Sequence, residues 1–194
     1  MKDPLDPGTL ELEDFLVGGN RRLTLGSHQT TIGKSQTWIT PKWIIDSLGP
    51  FDLDPCAADP RPWDCADINF TECGLEREWS TPRATFPLRV WLNPPFHRYQ
   101  VGAWIERLAS HGNGIALLHA RTEAAWFVPV WTCASAVLFL ADRLYFHYPD
   151  GKRAEANSGA PACLVAFGEA NAESLKLSGI PGYLMTEWSA VPAR

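Results

Sequence analysis

The stretch that most constrains this chain is Asn93-Pro94-Pro95-Phe96. Two consecutive prolines fix two φ angles and remove two backbone donors, so neither a helix nor an interior strand can run through them. Ahead of them, Arg89-Val90-Trp91-Leu92 is an apolar run of strand formers. Behind them, Val101, Trp104, Ile105 and Leu108 recur at helical spacing. The turn therefore joins the C-terminal end of a strand to a helix, the place where open α/β sheets bind ligands. It offers carbonyl acceptors, one amide side chain and an aromatic ring, a set suited to accepting the hydrogens of an amino group on a flat ring. Taken alone, the same four residues also read as ordinary turn punctuation, so the rest of the chain has to decide.

Residues 1–37 form a polar N-terminal arm. Its first part is acidic, and its second part, with Arg21, Arg22, His28 and Lys34 among small polar residues, reads either as a phosphate-touching arm or as a solvated leader. Thr40 before Pro41 is a helix-start signal, with Thr40 as N-cap; Trp43, Ile44, Ile45 and Leu48 supply the apolar face, and Gly49-Pro50 ends it. Phe51-Asp52-Leu53-Asp54 is a short strand that ends in an acid followed by Pro55, Cys56 and Ala57. Residues 59–88 hold five prolines and glycines in an irregular segment with room for one short strand or helix. Loops this long inside a domain are usually functional.

After the proline turn and its helix, Gly114–His119 is a further strand. A helix follows with Trp126, Phe127 and Val130, and with Thr122 as its N-cap. Ala136–Leu140, Arg143–Tyr148 and Ala162–Phe167 are the remaining strands, the last two paired antiparallel. Strands that alternate with helices are expected to be parallel. The expected product is a three-layer α/β/α sandwich, mainly parallel and closed by a C-terminal antiparallel hairpin, over residues 38–168, with residues 169–194 as a tail.

The 194 residues suit one domain with a real core. A net charge of −5 argues against indiscriminate coating of nucleic acid, though not against a local basic face. No apolar run is long enough for a membrane span, and the acidic N-terminus is unlike a signal peptide. Five cysteines without a CxxC pair point to reduced thiols in a cytosol, and Cys56, Cys65 and Cys73 are spaced wrongly for a zinc site; no metal is expected.

Three signals thus lie in order: Thr40-Pro41, Asp54-Pro55-Cys56-Ala57 and Asn93-Pro94-Pro95-Phe96. Together they resemble the phage-type DNA N6-adenine methyltransferases. The similarity continues through Leu75–Trp79, His119-Ala120-Arg121-Thr122-Glu123 with Trp126-Phe127, Asp142–Phe146, and Asn157 with Ala160-Pro161, so it spans about residues 36–168. The resemblance implies a class I, Rossmann-like methyltransferase fold and S-adenosylmethionine as cofactor. It implies Thr40, Pro41, Asp54, Pro55, Cys56 and Ala57 as cofactor-binding residues, with small residues where the backbone must approach the ligand. It implies Asn93, Pro94, Pro95 and Phe96 as the catalytic turn, acting on the N6 amino group of a flipped-out adenine in double-stranded DNA. The wider methyltransferases carry a glycine-rich first loop, whereas this chain reads Cys56-Ala57-Ala58-Asp59. For the cofactor ribose, Asp67 and Glu72 are both candidates.

His97, Arg98 and Tyr99 follow the turn and are candidates for touching the target strand; Arg121 and Arg143 are candidates for phosphate or guanine contacts. Each reads alternatively as a solvated or ion-pairing surface residue. His119 reads either as a hydrogen-bonded strand-end residue or as a member of the site, and Trp91 as strand core. Target recognition is expected from residues 20–37 and 59–88 and from the Lys152–Asn157 loop. Two alternatives stand beside DNA methylation: methylation of an RNA adenine or of a protein glutamine by the same proline turn, and a catalytically inactive DNA-binding module.

Overall fold

A computed structural model describes residues 37–82, 85–96 and 100–190. The expected N-terminal arm lies outside them except for its last residue. The described residues form four α-helices and seven strands. Helix α1 spans Lys42–Leu48, α2 Val101–His111, α3 Val128–Cys133 and α4 Glu169–Leu177. The strands are β1 Leu53–Asp54, β2 Ile68–Asn69, β3 Val90–Leu92, β4 Gly114–His119, β5 Ala136–Leu140, β6 Ala162–Phe167 and β7 Gly182–Met185. They form one sheet in the order β2-β1-β3-β4-β6-β5-β7.

The sheet is mixed. The pairings β2–β1, β1–β3 and β3–β4 are parallel, and β4–β6, β6–β5 and β5–β7 are antiparallel. Side chains alternate across it as the period of two requires. Trp91, Ile115, Leu117 and Leu164 face one cluster with Ile44, Ile45 and Leu48 of α1 and Ala172 and Leu175 of α4. Val90, Leu92, Ala116, Leu118 and Val165 face the other with Val101, Trp104, Ile105 and Leu108 of α2 and Val130 of α3. All four residues that announced α2 by their spacing are buried. Its end is set by Gly112, which takes the left-handed conformation (φ 74°) and donates its N–H to the Leu108 carbonyl at 2.9 Å.

Several sequence expectations need correction. Arg143–Tyr148 is not a strand: His147 alone bridges there, to Ile39 and to Arg153. Leu144 and Phe146 are buried, and Tyr145 lies under the Arg153 guanidinium at 3.8 Å, so the alternation reflects packing of a loop without a ladder. The hairpin partner of β6 is β5, and β6 lies between β4 and β5, antiparallel to both. The segment expected as a tail contributes α4 and the edge strand β7, and beyond them Trp188 docks by donating from Nε1 to the Trp131 carbonyl at 2.8 Å. Thr40 does not cap α1: Pro41 stands at the cap with extended backbone (ψ 131°), so the helix starts one residue later. Nor does Thr122 cap the next helical segment, which opens as a 3-10 turn at Ala125–Phe127 with Ala124 before it.

Candidate active site

The C-terminal ends of β1 and β3 bring three separate segments into contact. Asp54 closes β1 and is buried; its Oδ1 accepts the Cys56 backbone N–H at 3.0 Å, which folds Pro55 and Cys56 into a tight turn. Cys56 then donates its S–H to the Asn93 carbonyl at 3.2 Å, tying that turn to the end of β3. Asn93 in turn donates from Nδ2 to the Trp38 carbonyl at 3.1 Å, tying β3 to the segment that leads into α1. From the irregular segment, Trp63 donates from Nε1 to the Thr40 carbonyl at 3.1 Å. Trp38, Asp54-Pro55-Cys56 and Asn93, far apart in sequence, are thereby one hydrogen-bonded unit, with Thr40 joined to it through the chain two residues after Trp38.

Two polar atoms in this unit are buried without a hydrogen-bond partner: Asn93 Oδ1 and Thr40 Oγ1. A buried acceptor left unmade costs about 1–3 kcal/mol, so each such atom calls for a partner from outside the fold, a ligand or a water. The Asn93 amide nitrogen is already engaged by Trp38, which leaves the oxygen as the atom available to a ligand. Pro94 is buried and Pro95 exposed. Phe96 is half-buried, and its ring lies flat on the His119 imidazole, centroids 4.0 Å apart with 8° between the planes.

The approach of the irregular segment to this unit is equally close. Gly74 opens a 3-10 turn, Gly74–Glu76, and a Cβ at that position would stand 2.1 Å from the Pro55 carbonyl oxygen. Glycine is required there by contact with another backbone, not by its dihedral angles. Trp79, buried, donates from Nε1 to the Gly74 carbonyl at 2.9 Å and locks the turn.

These segments are those of a methyltransferase-like sheet edge, and a family comparison decides the matter. The model of the family DNA N-6-adenine-methyltransferase (Dam) matches residues 27–180, well over half of the chain. The chain belongs to the Dam family. No curated protein and no solved structure gives a significant match. Membership implies methylation of DNA adenine at N6.

Burial sets the electrostatics of this Dam site. It drives the Asp54 carboxyl up to about 7, against the opposing Cys56 backbone hydrogen bond and the charge of Arg61. The Cys56 thiol is pushed up by burial and by Asp54, so it stays a protonated donor to Asn93. Cys65 is driven up to about 12 by burial first and then by Asp54. Burial, helped by Arg121, lowers His119 to about 4, which keeps its ring neutral beside Phe96.

Other expected residues lie elsewhere. Arg121 is exposed next to His119. Arg143 is exposed too and donates from Nη1 to the Gly159 carbonyl at 3.0 Å. His97, Arg98 and Tyr99 lie outside the described residues. Asp67 precedes β2, at the strand's entry side, and Glu72 is exposed and ion-paired with Arg77. Asn69 has the better position: it closes β2 at the edge shared with Asp54, and its Oδ1 is buried without a partner while Nδ2 donates to the Ala66 carbonyl at 2.7 Å. An acid is the usual ribose ligand, and Asn69 is an amide, so its residue type does not announce it. The signal available was a strand-length pair, Ile68-Asn69, ending in a polar residue inside a segment read as irregular.

Among the described residues no group of three or more His, Cys, Asp or Glu side chains gathers as a metal site. No described helix is long and apolar enough to cross a membrane.

Proposed function

We propose that this chain transfers a methyl group from S-adenosylmethionine to N6 of a flipped-out adenine in DNA, with Asn93-Pro94-Pro95-Phe96 as the catalytic turn. The observation that carries the reading is the Asn93 amide: its nitrogen is committed to Trp38 and its oxygen is buried without a partner.

The N6 amino group is a weak nucleophile because its lone pair is delocalised into the purine. Asn93 Oδ1 and the Pro94 carbonyl accept its two hydrogens, draw the nitrogen toward tetrahedral geometry and localise the lone pair. Phe96 stacks on the base, a contact worth about 1–3 kcal/mol. An amide is no strong base, so the proton leaves to water after transfer and the catalysis is positioning and polarisation. Duplex DNA hides N6 from such a turn, hence the extrahelical adenine. Exposed Arg121 and Arg143, with His97, Arg98 and Tyr99, are assigned to the DNA strand.

Bound S-adenosylmethionine supplies the electrophilic methyl group. The residues present fit it: Thr40 Oγ1 and Asn69 Oδ1 are buried acceptors without partners, and Asp54 is followed in its turn only by the small side chains of Pro55, Cys56 and Ala57. We assign Thr40 and Pro41 to the methionine end, Asp54 to Ala57 to the loop along the cofactor, and Asn69 to the ribose hydroxyls in place of Asp67 or Glu72.

The test is incubation of the protein with methyl-labelled S-adenosylmethionine and, separately, duplex DNA, RNA and protein. Label in DNA adenine is the expected result; label in RNA or protein alone would overturn the substrate assignment. Asn93→Ala should lose at least about a hundredfold in methylation, the scale of removing one preorganised polar contact to the reacting group, while calorimetry still detects cofactor binding. Full activity in that variant would remove the turn from the mechanism.

A further inference from the structure

His119 closes β4 and is buried, and by strand alternation it shares a face with Ile115 and Leu117. Phe96, half-buried, packs against the same cluster. The two rings are parallel within 8° at 4.0 Å, a closer and flatter contact than that of Phe51 with Trp91, at 5.4 Å and 52°, or of the stacked pair Trp79 and Trp104, at 6.3 Å and 21°. Pro94 and Pro95 stiffen the backbone before Phe96 but leave its own side-chain torsions free. Something other than the turn must therefore fix the plane of that ring.

We propose that His119 is a positioning residue for the target base: its imidazole backs one face of Phe96 and leaves the other face for the adenine, so the bound state is a three-ring stack of His119, Phe96 and adenine. The inference rests on the adenine-methylation reading above. A strand residue is a rigid support, and His119 is held by the ladder opposite Ala162 and by its own carbonyl, which accepts the Arg121 N–H at 2.8 Å. Its ring is uncharged at neutral pH, so the support behind Phe96 is itself neutral. A side chain lacking a flat ring would let Phe96 rotate, and adenine would lose its platform without any change at Asn93 or in the cofactor turn.

The test uses the full chain, DNA methylation kinetics, and an oligonucleotide with 2-aminopurine in place of the adenine that wild type methylates, identified first by sequencing N6-methyladenine. His119→Ala should raise the KM for DNA about two- to tenfold, the scale of one aromatic contact, and lower the 2-aminopurine fluorescence gain, with cofactor affinity unchanged. His119→Phe, which restores a flat ring, should recover both. His119→Gln fills similar volume without an aromatic face; it should behave like His119→Ala, and it substitutes for that variant if the latter fails to fold. Wild-type KM and fluorescence in His119→Gln would overturn the proposal. So would tighter DNA binding with a larger fluorescence gain, since His119 would then occupy the adenine's own place. Failure of His119→Phe to recover either readout would also overturn it. A wild-type chain that labels no DNA adenine would overturn the parent reading as well, and is separated from these outcomes by the wild-type control.

Discussion

Asp54 and His119 stand at the same edge of the sheet and respond to pH in opposite directions. Burial raises Asp54 from its ordinary 3.8 to about 7, so between those values the folded state holds more protons than the unfolded one. Its contribution to stability is full below about 4 and is lost as pH rises through about 7. His119 is lowered from 6.5 to about 4, so its contribution is full above 6.5 and is lost as pH falls through about 4. The two slopes oppose each other in the range they share, and wild type should be nearly flat there. Asp54→Asn keeps an oxygen for the Cys56 N–H but removes the titration. Its stability relative to wild type should therefore increase from about pH 4.5 to about pH 8 by a few kcal/mol. Urea unfolding at the two pH values measures this, and an equal difference at both would show that Asp54 does not titrate in the window. Residue by residue, the placement of the candidate site was legible where chemistry and position coincide. Asn93 and Phe96 were readable from a proline turn after a strand, but the stack of His119 on Phe96 was not, because it joins two strand ends by packing that no spacing rule encodes.

The element most exposed to a single change is the irregular segment carrying β2 and the Gly74–Glu76 turn. It touches the Asp54-Pro55 turn backbone to backbone at Gly74. Gly74→Ala places a methyl group on the Pro55 carbonyl and forces the two apart; overpacking of this kind costs about 1–3 kcal/mol. Because Pro55 belongs to the proposed cofactor turn, the same variant should also weaken S-adenosylmethionine binding several-fold by calorimetry. Gly112→Ala is the control. Its glycine is needed for a left-handed helix end, nothing stands within 4 Å of the added methyl, and it should cost about 1 kcal/mol with cofactor affinity intact. Equal cofactor affinities in wild type and Gly74→Ala would detach the segment from the cofactor site. Elements with a repeating apolar pattern, such as α2, β4 and β6, were readable because burial on one face or both leaves a periodic trace. Edge strand β7 left none: Tyr183 is 78% exposed, so Gly182–Met185 has no buried face to mark it. Arg143–Tyr148 erred the other way, its buried Leu144 and Phe146 imitating a strand.

Across the whole molecule, the proposed chemistry and the Arg89 network occupy opposite edges of the sheet. At the edge away from Asn93, Arg89 precedes β3 and gathers three elements. Its Nη1 donates to the Leu48 carbonyl at 2.8 Å and the Pro50 carbonyl at 2.7 Å, and its Nε to Asn171 Oδ1 at 2.8 Å. Its guanidinium lies over the Phe51 ring at 4.4 Å. Asn171, fully buried in α4, passes the connection on from Nδ2 to Asn113 Oδ1 and the Phe167 carbonyl, both at 2.8 Å. The network thus links the end of α1, the approach to β1, the start of β4, the end of β6 and α4. Burial lowers the Arg89 pKa, yet a guanidinium stays charged at any physiological pH, so the network does not switch. Arg89→Met keeps much of the stem's bulk and removes every donor, leaving the Leu48 and Pro50 carbonyls and Asn171 Oδ1 short of partners. A loss of about 2–4 kcal/mol is expected, with the unfolding midpoint in urea lowered and the slope unchanged. Methylation per folded molecule should stay within about twofold of wild type, since none of these atoms approaches Asn93, Phe96 or the Asp54 turn. A large fall in turnover at unchanged stability would mean that the two edges are coupled through the strands, and the division of labour across the sheet would be wrong.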